Sequence, residues 1–298
     1  MIRAVIDLGT NTFNLLIAEV LEGKLNIIDK TKEAVLLGMG GINDGYIADD
    51  ALARAMDTLT HFSESCEHHN VPKENILGIG TSALRAAKNS SQFVDQVFSE
   101  LKIRIEIIPG KDEAQLIYQG VKWTYDFSSP AVIMDIGGGS TEFILANESN
   151  VVEMESFEIG VSRIFQYLEM PSSYTPTHIQ AVLEYMEERE VGQLSKFSCD
   201  TMIGSSGSFE TFYEMINQKE FVPTGSVVEL NMTELMEQLD WSINSSLEDR
   251  MNNRWIVPIR KNMLPISAIQ IKWAIEKLGI KRMLLSSYSL KEGVLNKF

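Results

Sequence analysis

Apolar and polar residues alternate along the first half of the chain in blocks that are typical of an α/β protein. Short apolar runs predict strands, and apolar residues at i, i+3 and i+4 predict helices. Asp49 or Asp50 is the expected N-cap of the first helix, Asn89 that of the second, and Glu22-Gly23 the expected turn between two strands. The predicted order is strands over 2–8, 13–20 and 25–35, a helix over 48–66, a strand over 76–80, a helix from 89, a strand over 103–107 and a helix over 112–125.

The second half follows the same order with insertions. Strands are predicted over 131–136, 141–147 and 151–158, a helix over 178–197, a strand and turn at 201–208, helices within 232–247 and over 264–278, a strand over 282–286 and a final helix. No low-complexity linker separates the halves, so the boundary is expected within 125–130. We therefore expect one α/β domain over 1–125 and another over 126–298, whose last helix can pack back toward the first domain.

A repeat relates the two halves. Residues 131–146 align with residues 3–18 without a gap, and the matched pairs include Asp135 with Asp7, Gly137 with Gly9 and Ser140 with Thr12. Each copy predicts a strand, an Asp at its end, a turn of Gly and hydroxyl residues, and a second strand. A single copy is equally typical of an ordinary turn. Two copies predict an internal duplication that presents two phosphate-binding turns, because such turns offer backbone NH groups and hydroxyls to an anion.

A second, shorter match supports the duplication. Residues 77–82, LGIGTS, are similar to residues 202–206, MIGSS, and each predicts a strand that ends in Gly and hydroxyl residues before a helix. The two halves are therefore expected to face each other across a cleft that holds a phosphate group.

Composition limits the partners of this protein. The chain has 298 residues, of which 44% are hydrophobic and 22% charged, and its net charge is −15. This acidity argues against nucleic acid and against an anionic membrane surface, which need a basic footprint. Neither a signal peptide nor a long apolar run is present in the sequence, and the two cysteines form no metal or redox motif, so we expect a cytoplasmic protein.

A polyanionic substrate would require positive charge that is concentrated locally. The candidate residues for a basic channel are Lys102, Lys111, Lys122, Arg163, Arg260 and Lys261.

Glu113 is the most informative carboxylate in the sequence. It precedes Leu116 and Ile117 by three and four positions and therefore lies on the apolar stripe of its predicted helix. Burial raises the proton affinity of a carboxylate and suits a general base. The alternative is a first-turn acid that interacts with the helix dipole. Asp112 lies on another face and is the expected capping residue.

Six sequence blocks carry a resemblance. They are AVIDLGTNTFNLLIAEV, GTSALRAA, IEIIPGKDEAQLIYQGV, MDIGGGSTEF, IGSSGS and SYSLKEGVL. In the same order, they are similar to blocks of the exopolyphosphatase and guanosine pentaphosphate phosphohydrolase family. The resemblance covers residues 2–295 and implies two actin-like (ribonuclease H-like) domains with an interdomain cleft. It also implies Mg²⁺-dependent release of terminal phosphate from inorganic polyphosphate, guanosine pentaphosphate or both.

The resemblance implies roles for individual residues. Glu113, Glu142 and Arg85 match catalytic positions, and Arg85 would hold phosphoryl oxygen atoms. Asp7, Asp135 and Glu142 match the positions expected to bind the metal. The terminal phosphate would contact the two turns through Thr10, Asn11, Thr12, Gly137, Gly138, Gly139 and Ser140.

Two other functions stay open. One is a phosphotransferase of the same superfamily, since IGSSGSFE lies where such kinases contact adenosine. The other is a sensor that binds guanosine pentaphosphate or tetraphosphate without turnover. The resemblance implies that longer family members carry a further helical domain, and we expect a short two-domain form without it. A homodimer is the commonest default for the oligomeric state.

Overall fold

The first half of the chain forms a five-stranded sheet. The computed structural model describes residues 1–21 and 24–295, so the predicted turn at Glu22-Gly23 lies outside the described residues. The strand order is β3-β2-β1-β4-β5; β1, β2 and β3 form an antiparallel meander, whereas β4 and β5 run parallel to β1. The strands are β1 (Ile2–Leu8), β2 (Thr12–Leu21), β3 (Lys24–Ala34), β4 (Ile76–Gly80) and β5 (Arg104–Ile107).

The second half builds a six-stranded sheet on the same plan. Its order is β10-β11-β9-β6-β7-β8, with an antiparallel β6-β7-β8 meander and with β9 and β11 parallel to β6. The sequence analysis did not predict β10, which has only three residues. The strands are β6 (Ala131–Ile136), β7 (Thr141–Ala146), β8 (Val151–Phe157), β9 (Thr201–Gly204), β10 (Val228–Leu230) and β11 (Arg282–Leu285).

Helices connect the strands of both sheets. The first half contains α1 (Asp49–His68), α2 (Ser82–Ala86), α3 (Ser90–Leu101) and α4 (Gly110–Val121). The second half contains α5 (Val161–Tyr167), α6 (Pro176–Glu190), α7 (Gly207–Asn217), α8 (Met232–Asn244), α9 (Leu247–Asn252), α10 (Leu264–Leu278) and α11 (Leu290–Val294). Short 3₁₀ turns lie at Lys73–Asn75, Gln193–Lys196 and Pro258–Arg260. Among the described residues, no helix is both long and apolar enough to cross a membrane.

Helices α4 and α11 lie between the two sheets. Helix α4 of the first half contacts β7 and β8, and α11 of the second half contacts β1 and β2. The two helices also touch each other so closely that a Cβ at Gly120 would lie 1.8 Å from the carbonyl oxygen of Ser289, and one at Gly293 would lie 1.9 Å from that of Leu116. Only glycine permits this backbone contact, which carries the last helix of each half onto the sheet of the other.

Several predicted boundaries and caps are wrong. The predicted helix over 178–197 ends at Glu190, because Val191 and Gly192 adopt left-handed backbone angles that stop it. Helix α4 begins at Gly110 with Pro109 as its N-cap, so Asp112 does not cap it. Ala48 precedes α1 as its N-cap, and Asp49 and Asp50 lie in its first turn instead.

Asn89 precedes α3 as expected, but its side chain does not cap the helix. It exchanges hydrogen bonds with the backbone NH and carbonyl of Ile47 instead. The second repeat match is confirmed at the strand ends, since β4 ends at Gly80 and β9 at Gly204, each before a helix, and the two carbonyls accept hydrogen bonds from the NH groups of Ile108 and Ser286. Only the register against the first strand of each sheet differs, by two residues, because Gly78 pairs with Ile6 and Gly204 with Met134.

Candidate active site

The two repeated hairpin turns hold their backbones in the same way. In the first turn, the carbonyls of Thr10 and Asn11 accept hydrogen bonds from backbone NH groups within residues 35–38. In the second, the carbonyls of Gly137, Gly138 and Gly139 accept hydrogen bonds from the NH groups of residues 160–163. Because a peptide NH points away from the preceding carbonyl, the amides of both turns point to the opposite side, into the cleft. Each turn is therefore a concave set of donors for an anion.

The tips of the two turns meet across the cleft. A Cβ at Gly138 would lie 2.8 Å from the Cβ of Thr10 and 3.0 Å from the side-chain amide of Asn11. Ser162, whose NH donates to the carbonyl of Gly138 in the second turn, also donates a side-chain hydrogen bond of 2.6 Å to Oδ1 of Asn11. The side chains of the first tip thus occupy space that the glycines of the second tip leave open. Both tips line one cavity, together with Glu113.

An aspartate stands at the end of the first strand of each hairpin. Asp7 accepts a hydrogen bond of 3.1 Å from Nδ2 of Asn14. Asp135 accepts hydrogen bonds from the hydroxyl groups of Ser205, at 2.9 Å, and Ser289. Both carboxylates line the cavity and are partly buried. Burial raises the pKa of each carboxyl group to about 6, although the positive charge of Lys291 acts to lower it.

Two glutamates lie deeper in the same cavity. Glu113, in the first turn of α4, has 7% of its surface exposed, and Glu142, the ladder partner of Asp135 on β7, has 1% exposed. Burial raises the pKa of Glu113, with Arg85 opposing this shift and the charges of Asp7 and Asp135 adding to it. Burial and the charge of Glu113 raise the pKa of Glu142 well above its ordinary value. These acids are therefore poised to hold protons near neutral pH.

Arg85 binds Glu113 rather than lining the cavity. Its Nη1 donates to Oε2 of Glu113 at 2.9 Å and to the carbonyl of Ile108 at 3.1 Å. Its Nη2 lies 3.7 Å from Oε1 of Glu158. The guanidinium therefore fixes the position of the Glu113 carboxylate and is not itself among the residues that line the cavity.

Arg163 joins the two halves beside the second turn. Its guanidinium donates to the carbonyls of Gly139 and Ile42 and to the hydroxyl of Ser82, and it forms an ion pair with Glu158. Because Ile42 and Ser82 belong to the first half, this buried side chain connects the glycine turn to the opposite lobe.

Three cations line the same cavity. They are Lys32 on β3, Arg260 in the 3₁₀ turn Pro258–Arg260, and Lys291 on α11. A Cβ at Gly207, the first residue of α7, would lie 1.7 Å from Nη2 of Arg260 and 3.1 Å from Nζ of Lys32. Burial and the nearby positive charge of Arg260 lower the pKa of Lys32 to about 8. This convergence of positive charge is a strong attraction for an anion.

The predicted basic channel is largely wrong. Of its six candidates, only Arg260 lines the cavity. Lys111 pairs with Glu155, Lys122 lies over the ring of Tyr118, Lys261 donates to the carbonyl of Met251, and Lys102 ends α3. Lys32 and Lys291 were not among the predicted residues. The alternation of Lys30 and Lys32 on one face of β3, and the position of Lys291 within SYSLKEGVL, were the available signals.

The remaining predicted residues come together as a group. The cavity is lined by Asp7, Thr10, Asn11, Thr12, Glu113, Asp135, Gly137, Gly138, Gly139, Ser140 and Glu142. It also contains Ser205 and Ser289, which bind Asp135 and which no individual prediction had named.

A match to a protein-family model identifies the family of this chain. The model of the Ppx/GppA phosphatase family matches residues 16–297. The chain belongs to the Ppx/GppA phosphatase family.

This Ppx/GppA chain is 30% identical over 300 residues to the guanosine-5'-triphosphate,3'-diphosphate pyrophosphatase of Aeromonas hydrophila, and the match covers 98% of this chain. It is 29% identical to the protein with the same name from Photobacterium profundum. The chain spans 58% of the length of each of these curated relatives.

Solved structures give the same Ppx/GppA architecture. The crystal structure of an exopolyphosphatase from Cytophaga hutchinsonii superimposes with a TM-score of 0.93 at 30% identity, covering 100% of this chain and 97% of the other. A family member from Aquifex aeolicus superimposes with a TM-score of 0.82 at 24% identity, covering 100% and 97%. The prediction of two duplicated actin-like α/β domains is confirmed.

Proposed function

We propose that this Ppx/GppA chain is a phosphohydrolase that releases the terminal phosphate of guanosine pentaphosphate, inorganic polyphosphate or both. The names of the relatives support these two substrate classes. The observation that carries the proposal is the position of Glu113. This buried acid lines the same cavity as the two hairpin turns, whose backbone amides face that cavity. An acid beside an anion-binding surface suits activation of water for attack on a phosphate.

The two hairpin turns would bind the terminal phosphate. The amides of Asn11, Gly138 and Gly139 point toward it, and the hydroxyl groups of Thr10, Thr12 and Ser140 lie in the same lining. Phosphoryl transfer depends mainly on positioning and on stabilisation of charge, which a rigid set of donors supplies.

Glu113 would act as the general base. An attacking water gives its proton to the Glu113 carboxylate while its oxygen bonds to the terminal phosphorus. The bond from that phosphorus to the bridging oxygen breaks, and the shortened polyphosphate leaves with the electron pair. The raised pKa of Glu113, about 7, makes the carboxylate a stronger base than an exposed glutamate.

Arg85 would keep Glu113 in place during this step. Its hydrogen bond to Oε2 leaves the other carboxylate oxygen available for water. Direct contact between Arg85 and phosphoryl oxygens stays a prediction from the resemblance.

The acids of the cavity fit a divalent cation. Asp7, Asp135 and Glu142 supply the hard oxygen ligands that Mg²⁺ prefers. The pKa of each is raised, and a nearby cation would lower it by stabilising the ionised carboxylate. Within the described residues, no group of three or more acidic, His or Cys side chains is arranged to hold a metal alone. Water and substrate phosphate would therefore complete its coordination. When bound, Mg²⁺ would neutralise charge on the phosphoryl oxygens.

Lys32, Arg260 and Lys291 would bind the phosphates beyond the terminal one. They lie in the same cavity as the hairpin turns, and their positive charge stands where a polyanion would extend. This local cluster reconciles an anionic substrate with a net charge of −15.

The division of the chain at residues 125 and 126, a cytoplasmic location and a homodimer are further parts of the proposal. The free cysteines, Cys66 and Cys199, are consistent with a reducing compartment.

A phosphate-release assay tests the proposed function. Guanosine pentaphosphate, tripolyphosphate and long-chain polyphosphate are each incubated with the protein, with Mg²⁺ or with a chelator. We expect release from at least one substrate, and its loss with the chelator. Formation of ADP from ATP and a small acceptor, without free phosphate, would indicate a phosphotransferase instead. Tight binding of guanosine pentaphosphate without any release would indicate a sensor.

A further inference from the structure

Glu210 is an acid among the cations that line the cavity. It lies in the first turn of α7 and lines the cavity with Lys32, Arg260 and Lys291. Its carboxylate forms no hydrogen bond or close ion pair with the residues that the structure describes. The mechanism proposed above gives this carboxylate no task.

The surroundings of Glu210 keep it charged. The charges of Lys32, Arg260 and Lys291, together with that of Lys30, outweigh its partial burial and hold its pKa below the ordinary value. A substrate that reaches these cations therefore also meets a fixed negative charge.

The carboxylate distinguishes the two proposed substrate classes by their hydrogen-bonding groups. An ionised carboxylate only accepts hydrogen bonds. A linear polyphosphate presents charged acceptor oxygens and, at neutral pH, at most a terminal P–OH donor, so its negative charge is repelled. A nucleoside presents donors, namely the ribose hydroxyl and the NH groups of the base, which a carboxylate binds strongly.

We propose that Glu210 is a specificity-determining residue that favours a nucleoside polyphosphate over a linear polyphosphate. The inference rests on the proposed function, since it assumes that the phosphates occupy this cavity. Lys32 and Arg260 attract the phosphates of either substrate, whereas Glu210 disfavours phosphate beside α7 and favours a donor-bearing group there. Selection of this kind combines attraction of one ligand with repulsion of its competitor.

Calorimetric binding of guanosine pentaphosphate and tripolyphosphate to the wild type and to Glu210→Gln tests the proposal. Glutamine keeps the size of the side chain and removes its charge. We expect tripolyphosphate to bind about tenfold more tightly to the variant, because a nearby like charge is lost. Guanosine pentaphosphate should bind about threefold more weakly, because a charged acceptor is lost.

Glu214→Gln is the matched control. Glu214 lies one turn further along α7, outside the cavity lining, and its Oε1 accepts a hydrogen bond from the NH of Phe221 that glutamine can also accept. A shift of threefold or more toward tripolyphosphate in Glu210→Gln, with a smaller shift in the control, supports the proposal. A smaller shift, or an equal one in both variants, overturns it.

Phosphate release by the wild type is measured in parallel. If both ligands bind but neither is hydrolysed, the proposed function fails while the binding ratio still decides the role of Glu210. If neither ligand binds the wild type, both proposals are overturned.

Discussion

The two hairpins of the repeat share a backbone and differ at their tips. The carbonyls of both turns are held by the segment that follows the third strand of the same half. The first tip carries the side chains of Thr10 and Asn11, whereas the second has Gly138 and Gly139 at the matching positions. The two tips therefore interdigitate, and two copies of either one would not. Divergence after duplication has made the halves complementary.

The hairpins also differ beside their aspartates. Asp7 pairs across its ladder with Asn14, which donates a hydrogen bond to it, whereas Asp135 pairs with the buried acid Glu142. The first hairpin satisfies its acid locally. The second adds a further acid to the cavity, so we expect the second hairpin to contribute more to catalysis.

Replacing the two ladder partners tests this difference and should give the largest effect. Glu142→Gln should lower kcat by about 100- to 1,000-fold, because it removes a metal-binding charge at the reacting phosphate. Asn14→Ala should lower kcat by about tenfold or less, since Asn14 acts only through Asp7. Phosphate release under saturating Mg²⁺ measures both, with circular dichroism as the folding control. Equal losses would show that the hairpins contribute alike.

Adding a side chain at Gly138, in the second turn, tests how closely the two turns pack. Gly138→Ala places a Cβ 2.8 Å from that of Thr10 and should raise KM by about tenfold, because the lobes are forced apart. Thr10→Gly in the same chain restores space. A double-mutant cycle on kcat/KM should give a coupling energy of about 1 kcal/mol or more. Strictly additive effects would mean that the tips do not meet during turnover.

Neutralising one aspartate should produce the smallest effect, on stability. The pKa of Asp135 is raised to about 6 in the folded protein, so its charge costs stability above that pH, and the cost disappears as the pH falls toward 3.8. Asp135→Asn should therefore stabilise the metal-free protein at pH 7.5 by about 1–2 kcal/mol. The variant should also gain less stability than the wild type when the pH is lowered from 7.5 to 5.

Thermal unfolding of the wild type and Asp135→Asn at the two pH values measures this effect. Asp126→Asn, at an exposed acid remote from the cavity, is the control. A lower melting temperature for Asp135→Asn at pH 7.5 would contradict the raised pKa.

Local sequence signals predicted the parts of the site that belong to single elements. The repeat predicted both hairpins, since strand alternation and turn residues are encoded within about 16 residues. The helical stripe predicted that Glu113 faces inward. In contrast, the cluster of Lys32, Arg260 and Lys291 joins positions that are far apart in the chain, so the local signals at single residues do not show that the three side chains meet.

The same limit explains two features that the sequence did not predict. The ion pair of Arg85 with Glu113 depends on how the fold brings one residue of α2 and one of α4 together, which neither segment encodes alone. The early end of α6 depends on left-handed angles at Val191 and Gly192, and valine gives no sign of such a conformation.

The most direct test of the central claim is Glu113→Gln, with phosphate release and ligand binding measured on the same preparation. The account predicts a loss in kcat of about 1,000-fold or more, with the Kd of guanosine pentaphosphate or tripolyphosphate changed by less than about threefold. Phosphate release within about tenfold of the wild-type rate would contradict it, because the buried acid would then not activate the attacking water.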